Sequence, residues 1–122
     1  MANLNQLVKT ATIANGASLS DSVDCGEGRA LISLMTPAAW TAAAITFDVS
    51  ADNTTFAPLY DSLGAEVIMS SASIATAAAR AFALDPAACV GWRYVKVRSG
   101  VNGAAVNQGA ARSVTLVFRE VN

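Results

Sequence analysis

Short runs that alternate apolar and polar residues, each stopped by a turn, constrain this chain more than any other feature. In Ile45–Ser50, Ile45, Phe47 and Val49 face one way and Thr46, Asp48 and Ser50 the other, the two-residue period of a strand buried on one side. Ser113–Val121 repeats the pattern, with Val114, Leu116 and Phe118 inward. In the run Trp92–Arg98, Val95 and Val97 share a face with Arg93, opposite Trp92, Tyr94, Lys96 and Arg98. Further strands are expected at Leu7–Ile13, Ser20–Cys25, Phe56–Tyr60, Glu66–Ser70 and Arg80–Asp85, and a central one, apolar on both sides, at Ala30–Thr36.

The punctuation between these runs is equally plain. Asn15-Gly16, Pro37, Ala51-Asp52-Asn53-Thr54, Asp61-Ser62-Leu63-Gly64 and Asp85-Pro86 are turn chemistry. Gly26-Glu27-Gly28 reads as a tight hairpin turn; it is no dinucleotide fingerprint, since no helix follows. Ser71–Arg80 is Ala- and Ser-rich without an apolar stripe and reads as a loop or irregular edge. Pro86–Gly91 has room for one helical turn, and Val101–Ala111 reads as a long loop. About eight or nine short strands without crossover helices predict an all-β fold: a single antiparallel β-sandwich domain over residues 1–122, with residues 1–9 as an extended arm.

Composition narrows the chemistry. The 122 residues are 53% hydrophobic, contain no histidine and carry only 14% charged residues, with a net charge of −1. Without histidine there is no Ser–His or Cys–His nucleophile system, and most catalytic zinc sites are excluded. A slightly acidic chain has no field to hold a polyphosphate, which argues against nucleic-acid binding. Low charge fits a surface partly covered by other protein, or one kept soluble by Ser, Thr and Asn. No run reaches the roughly 18 apolar residues of a membrane span, and Met1–Lys9 lacks a signal-peptide layout. Synthesis and folding in a cytoplasm are expected.

Candidate chemical groups are sparse. Cys25 and Cys89 are too far apart for a C-x-x-C metal site; they are either small buried thiols or a disulfide, within or between chains. The pairs Asp21/Asp24 and Asp48/Asp52 sit near turns, where capping is the simpler role than calcium binding or a glycosidase dyad. Arg93, Lys96 and Arg98 interleave with Trp92 and Tyr94, but on two faces, which disfavours a single-strand nucleic-acid platform. Trp40, Tyr60 and Trp92 flank turns; they either stack on sugar rings or partners, or plug the sandwich ends. No cofactor is implied.

Several segments together carry a resemblance: Val49–Asp61 (VSADNTTFAPLYD), Ala83–Ala87 (ALDPA), Gly91–Gly100 (GWRYVKVRSG), Pro37–Phe47 (PAAWTAAAITF) and Ala105–Gln108 (AVNQ). From about Leu19 onward the chain resembles a group of small tailed-bacteriophage virion proteins. Its RYVKVR strand also looks like one in discoidin-type, galactose-binding jelly rolls. The resemblance implies a jelly-roll-like sandwich borne on the particle as a non-enzymatic accessory protein: a capsid decoration protein, or a neck or tail component. The alternatives are a carbohydrate-binding module and, last, a glycan hydrolase using two carboxylates.

In the decoration reading the partner is the major capsid protein or another virion lattice protein, and the protein is itself a trimer or dimer, assembled in the host cytoplasm. Close-approach segments of low charge are Ser71–Ala79, with Ser73 and Ile74, and Val101–Ala111, with Val101, Asn102, Val106 and Asn107. The arm, with Leu4 and Leu7, is expected to add a strand to a neighbour's sheet.

Overall fold

The computed structural model describes residues 6–85 and 91–120. The described residues form nine strands: β1 (Gln6–Ile13), β2 (Val23–Asp24), β3 (Arg29–Met35), β4 (Ile45–Ser50), β5 (Ala57–Pro58), β6 (Ala81–Ala83), β7 (Tyr94–Val101), β8 (Ala104–Ala105, within the segment expected to be a loop) and β9 (Arg112–Glu120). The only helical element among the described residues is a single 3₁₀ turn, Ser71–Ser73.

Two antiparallel sheets result. One has the order β1-β9-β3-β6; the other has β2-β7-β4-β5, with β8 paired to the end of β7. Successive strands alternate between sheets, except in the β4–β5 hairpin and the short β7–β8 hairpin. This is jelly-roll topology, in which two Greek keys close over one core. Three-strand continuity in the first sheet comes from β9, which pairs with β1 on one side and β3 on the other. The register shifts between Leu31 and Ser33: one extra residue bends β3 just before the stretch that pairs with β9 on one edge and β6 on the other.

The core lies between the sheets. Ala11, Ile13, Leu31, Leu34, Val114, Leu116 and Phe118 face Val23, Ile45, Phe47, Val49, Val95 and Val97. Leu59, Met69, Ile74 and Trp40 close it from the loops. Each such aliphatic or aromatic side chain contributes about 1.5–3 kcal/mol on leaving water.

Several sequence expectations are corrected. Gly26–Gly28 makes no hairpin; it carries the chain from β2 in one sheet to β3 in the other, with Gly26 and Gly28 at positive φ. Glu66–Ser70 forms no strand of its own: its backbone pairs through the isolated bridges Tyr60–Glu66 and Ile45–Met69 and through the Val67 N–H to the Leu59 carbonyl. Ile74, expected at a contact surface, is 5% exposed and packs in the core: the 3₁₀ turn tips the one large apolar residue of its segment inward. Val101 is the last residue of β7 rather than the start of a loop. It continues through a tight turn into β8, because Gly100 (φ +101°) lets the strand fold back against Ala104 and Val106.

Residues 6–9 of the expected arm are not free. They pair with Leu116–Arg119, and Leu7 packs against the core. Leu4 and Cys89, and so the Cys25–Cys89 disulfide, lie outside the described residues, as does the helical turn expected near residue 88.

Candidate functional site

The richest surface chemistry collects at one end of the sandwich, where three connections meet: β2–β3, β4–β5 and the approach to β7. The β4–β5 turn is built by its own side chains. Asp52 Oδ1 accepts from the backbone N–H of Thr54 and of Thr55, both at 2.9 Å, and Ser50 Oγ accepts from the N–H of Asp52 and of Asn53. Ser22 Oγ donates to Asn53 Oδ1 at 2.6 Å, tying the turn to the strand beside it. The Thr55 and Thr54 amides, and then the Ser50 hydroxyl, hold the Asp52 carboxyl below its ordinary range. It is therefore an anion at neutral pH.

Trp92 is held by its backbone, and its indole N–H has no hydrogen-bond partner among the described residues. Cys25 Sγ donates to the Trp92 carbonyl at 3.5 Å, and the Cys25 amide donates to the Arg93 carbonyl at 2.9 Å. Arg93 grips Asp24 with two N–H groups, at 2.9 and 3.1 Å. That guanidinium, helped by the Gly26 amide, lowers the Asp24 carboxyl to about 2. Burial raises the Cys25 thiol, so it is protonated at neutral pH and behaves as a small core residue.

With its backbone fixed, the Trp92 ring divides two depressions. On one side, Gly26–Arg29, Gly91 and Arg93 line about 360 Å³. On the other, Val49, Ala57, Pro58, Leu59 and Tyr60, with Asp52 and Thr55, line about 480 Å³. Tyr60 and Trp92, 43% and 39% exposed, thus share one groove although 32 positions separate them. Trp40 does not join them. It is 3% exposed and its Nε1–H donates to the Ala43 carbonyl at 3.1 Å, so it is a core residue that closes the sandwich.

The two outer sheet faces differ sharply. On the β2-β7-β4-β5 face, Arg98 is 8% exposed and pairs with Asp48 and, at 3.5 Å, with Glu66. Lys96 lies over the Phe56 ring, 4.4 Å from its centroid. On the β1-β9-β3-β6 face, the register aligns Val8–Val117–Ser33–Ala83 in one row and Thr10–Thr115–Met35–Ala81 in the next, followed by Thr12–Ser113. No charged side chain stands in these three rows. Val8 and Met35 are among the most exposed large apolar residues of the molecule.

Of the remaining expected residues, Ser73, Asn102 and Asn107 are exposed and Val101 and Val106 half-buried. Two cations of the basic run are paired with carboxylates, Arg93 with Asp24 and Arg98 with Asp48 and Glu66, while Lys96 lies over the Phe56 ring. The members of each carboxylate pair are engaged separately: Asp21 accepts from the Thr12 amide and Asp24 pairs with Arg93, whereas Asp48 pairs with Arg98 and Asp52 accepts from the Thr54 and Thr55 amides. Among the described residues no group of three or more Cys, Asp or Glu is placed to hold a metal ion, and no helix is long and apolar enough to cross a membrane.

Sequence reasoning missed the uncharged outer face. The signal was present in six consecutive outward positions of β1 and β9, Val8, Thr10, Thr12, Ser113, Thr115 and Val117, with Arg119 opposite Gln6 in the next row. It also missed Gln108, which is 1% exposed and bonds Thr41, Ser99 and Arg112 through its amide. Comparison with protein-family models, with curated proteins and with solved structures found no match.

Proposed function

We propose that this protein is a non-enzymatic structural component of a bacteriophage virion: an accessory jelly roll that decorates the capsid by laying its β1-β9-β3-β6 face on the outer lattice. The segments from Pro37 to Gln108 that resemble phage virion proteins support the setting. The observation that carries the mode of action is the uncharged outer face, aligned by the register of four strands. An aqueous surface with no charge in three consecutive rows is cheap to desolvate, because no ion must leave water. The opposite face, with its paired Asp48, Glu66 and Arg98, remains towards solvent.

Magnitude fixes what such a face does. Four strands about 4.8 Å apart, with three rows about 6.8 Å apart, span roughly 300–400 Å². A stable one-to-one complex buries about 800 Å² on each partner. One face alone therefore makes a weak contact, and firm attachment comes from several copies joined as a dimer or trimer and bound to a repeating lattice.

The test is co-sedimentation with capsids lacking this protein. Thr115→Lys and Val117→Lys, in the middle of the face, abolish pelleting with capsids while far-UV circular dichroism is retained. Ser62→Lys, in an exposed turn, pellets like the parent. Equal pelleting by all three variants refutes the docking mode. Immunogold label on the neck or tail, with none on the head, moves the protein to that part of the particle.

A further inference from the structure

We propose that the groove between Tyr60 and Trp92 is a glycan-binding site for a neutral hexopyranose unit. The groove lies off the lattice-docking face, so this inference does not depend on the virion reading. Its two aromatic side chains come from separate segments, stand two-fifths exposed, and line the same depression. Exposing two such rings is costly unless something flat covers them. Between them the floor is Val49, Ala57, Pro58 and Leu59, and of these Val49 and Leu59 belong to the core, so the floor is rigid.

The rim supplies directional chemistry. Asp52 Oδ1 is occupied by the turn amides and the Ser50 hydroxyl, whereas Oδ2 has no partner among the described residues. The same holds for the Tyr60 hydroxyl and the Trp92 indole N–H. Because the turn fixes Asp52 as an anion, it is a ready acceptor for paired hydroxyl groups. A pyranose matches this layout: its C–H face stacks on an aromatic ring while its equatorial hydroxyls reach the carboxylate.

Charge selects among ligands. The groove lining holds one carboxylate and no cation, which disfavours phosphate, sulfated or sialylated ligands. Arg93 faces the other depression and is already committed to Asp24. Basic peptides are disfavoured by shape: a single carboxylate above an apolar, aromatic floor offers a flat ring far more contact than it offers an ammonium. The volume, about 480 Å³, accommodates one or two sugar units.

The experiment is saturation-transfer difference NMR on the full chain, with glucose, galactose, N-acetylglucosamine, lactose and, as an acidic probe, sialyllactose. At least one neutral sugar receives saturation, with millimolar affinity and strongest transfer to the ring C–H face. Trp92→Ala and Tyr60→Ala each weaken it at least about fivefold, the loss of one stacking contact. Val117→Lys leaves it unchanged. No transfer to any neutral sugar, transfer that survives in the Tyr60→Ala/Trp92→Ala double variant, or preference for sialyllactose overturns the proposal. Failure of capsid pelleting leaves these signals intact, so the two readings fail separately.

Discussion

Replacing Gln108 with Leu removes a knot of four hydrogen bonds while nearly preserving volume. The amide oxygen accepts from Thr41 N–H at 2.8 Å and Arg112 Nε–H at 3.1 Å; the amide nitrogen donates to the Thr41 carbonyl at 3.0 Å and Ser99 Oγ at 2.7 Å. The main chain of Gln108 also bonds Gly16 and Ala17, and those bonds survive the substitution. Arg112 is half-buried and turns to water at little cost. The Thr41 amide and carbonyl and the Ser99 hydroxyl are left without a partner, each at about 1–3 kcal/mol. Half-burial of Thr41 halves its share, and the leucine side chain returns about 1 kcal/mol through apolar burial. The net loss is about 3 kcal/mol, or a melting temperature about 10 °C lower for a domain of this size. Urea unfolding followed by circular dichroism measures it, with the midpoint falling and the slope unchanged. A Gln108→Leu variant within about 0.5 kcal/mol of the parent refutes the claim that this amide ties the β3–β4 connection to β7 and β9.

Four further outcomes are expected. Asp24 titrates at about 2 in the fold against an ordinary 3.8, so its contribution is complete above about pH 4 and lost as pH falls through 2; Asp24→Asn flattens the stability profile in that window, as acid unfolding curves measure. Gly100→Ala places a Cβ 2.6 Å from the Ala104 carbonyl and 2.8 Å from Val106 N, at a positive φ, and costs more than about 2 kcal/mol in chemical denaturation. Acrylamide quenches Trp92 and spares Trp40, so Trp92→Phe leaves a fluorescence with little quenching, in keeping with 39% against 3% exposure. Asp48→Asn strands part of the buried Arg98 guanidinium and destabilises by about 2–4 kcal/mol in the same assay, whereas the exposed Asp61→Asn costs under about 1 kcal/mol.

What could be read in the sequence was whatever depends on near neighbours. The inward residues of β4 and β9 follow from alternation alone, and each lies in the core. Turn chemistry at Asp52 and Asp61 was legible for the same reason, since each carboxylate bonds amides two to four residues on. Misreadings arose where distant segments decide. Trp40 and Trp92 both flank turns among small residues, and only the packing of the β3–β4 connection under the sandwich buries the first. The strand expected to end at Arg98 runs on through Ser99 and Gly100, whose N–H reaches the Ala44 carbonyl at 2.7 Å. Gln108 looked like one more loop residue until Ala17, Thr41 and Ser99 converged on it. The Tyr60–Trp92 groove was half legible: both rings were singled out, but their meeting required the β4–β5 hairpin to fold beside β7.

The place of β9 between β1 and β3 has a bearing on biosynthesis. Strands β1 and β3 have no common neighbour until residues 112–120 leave the ribosomal tunnel, so the first sheet assembles only after nearly every other strand has been translated. Until then the apolar sides of β1 and β3 lack the strand that joins them in the finished sheet. The nascent chain's exposure to chaperones and to premature self-association is therefore set by how quickly that one late segment arrives.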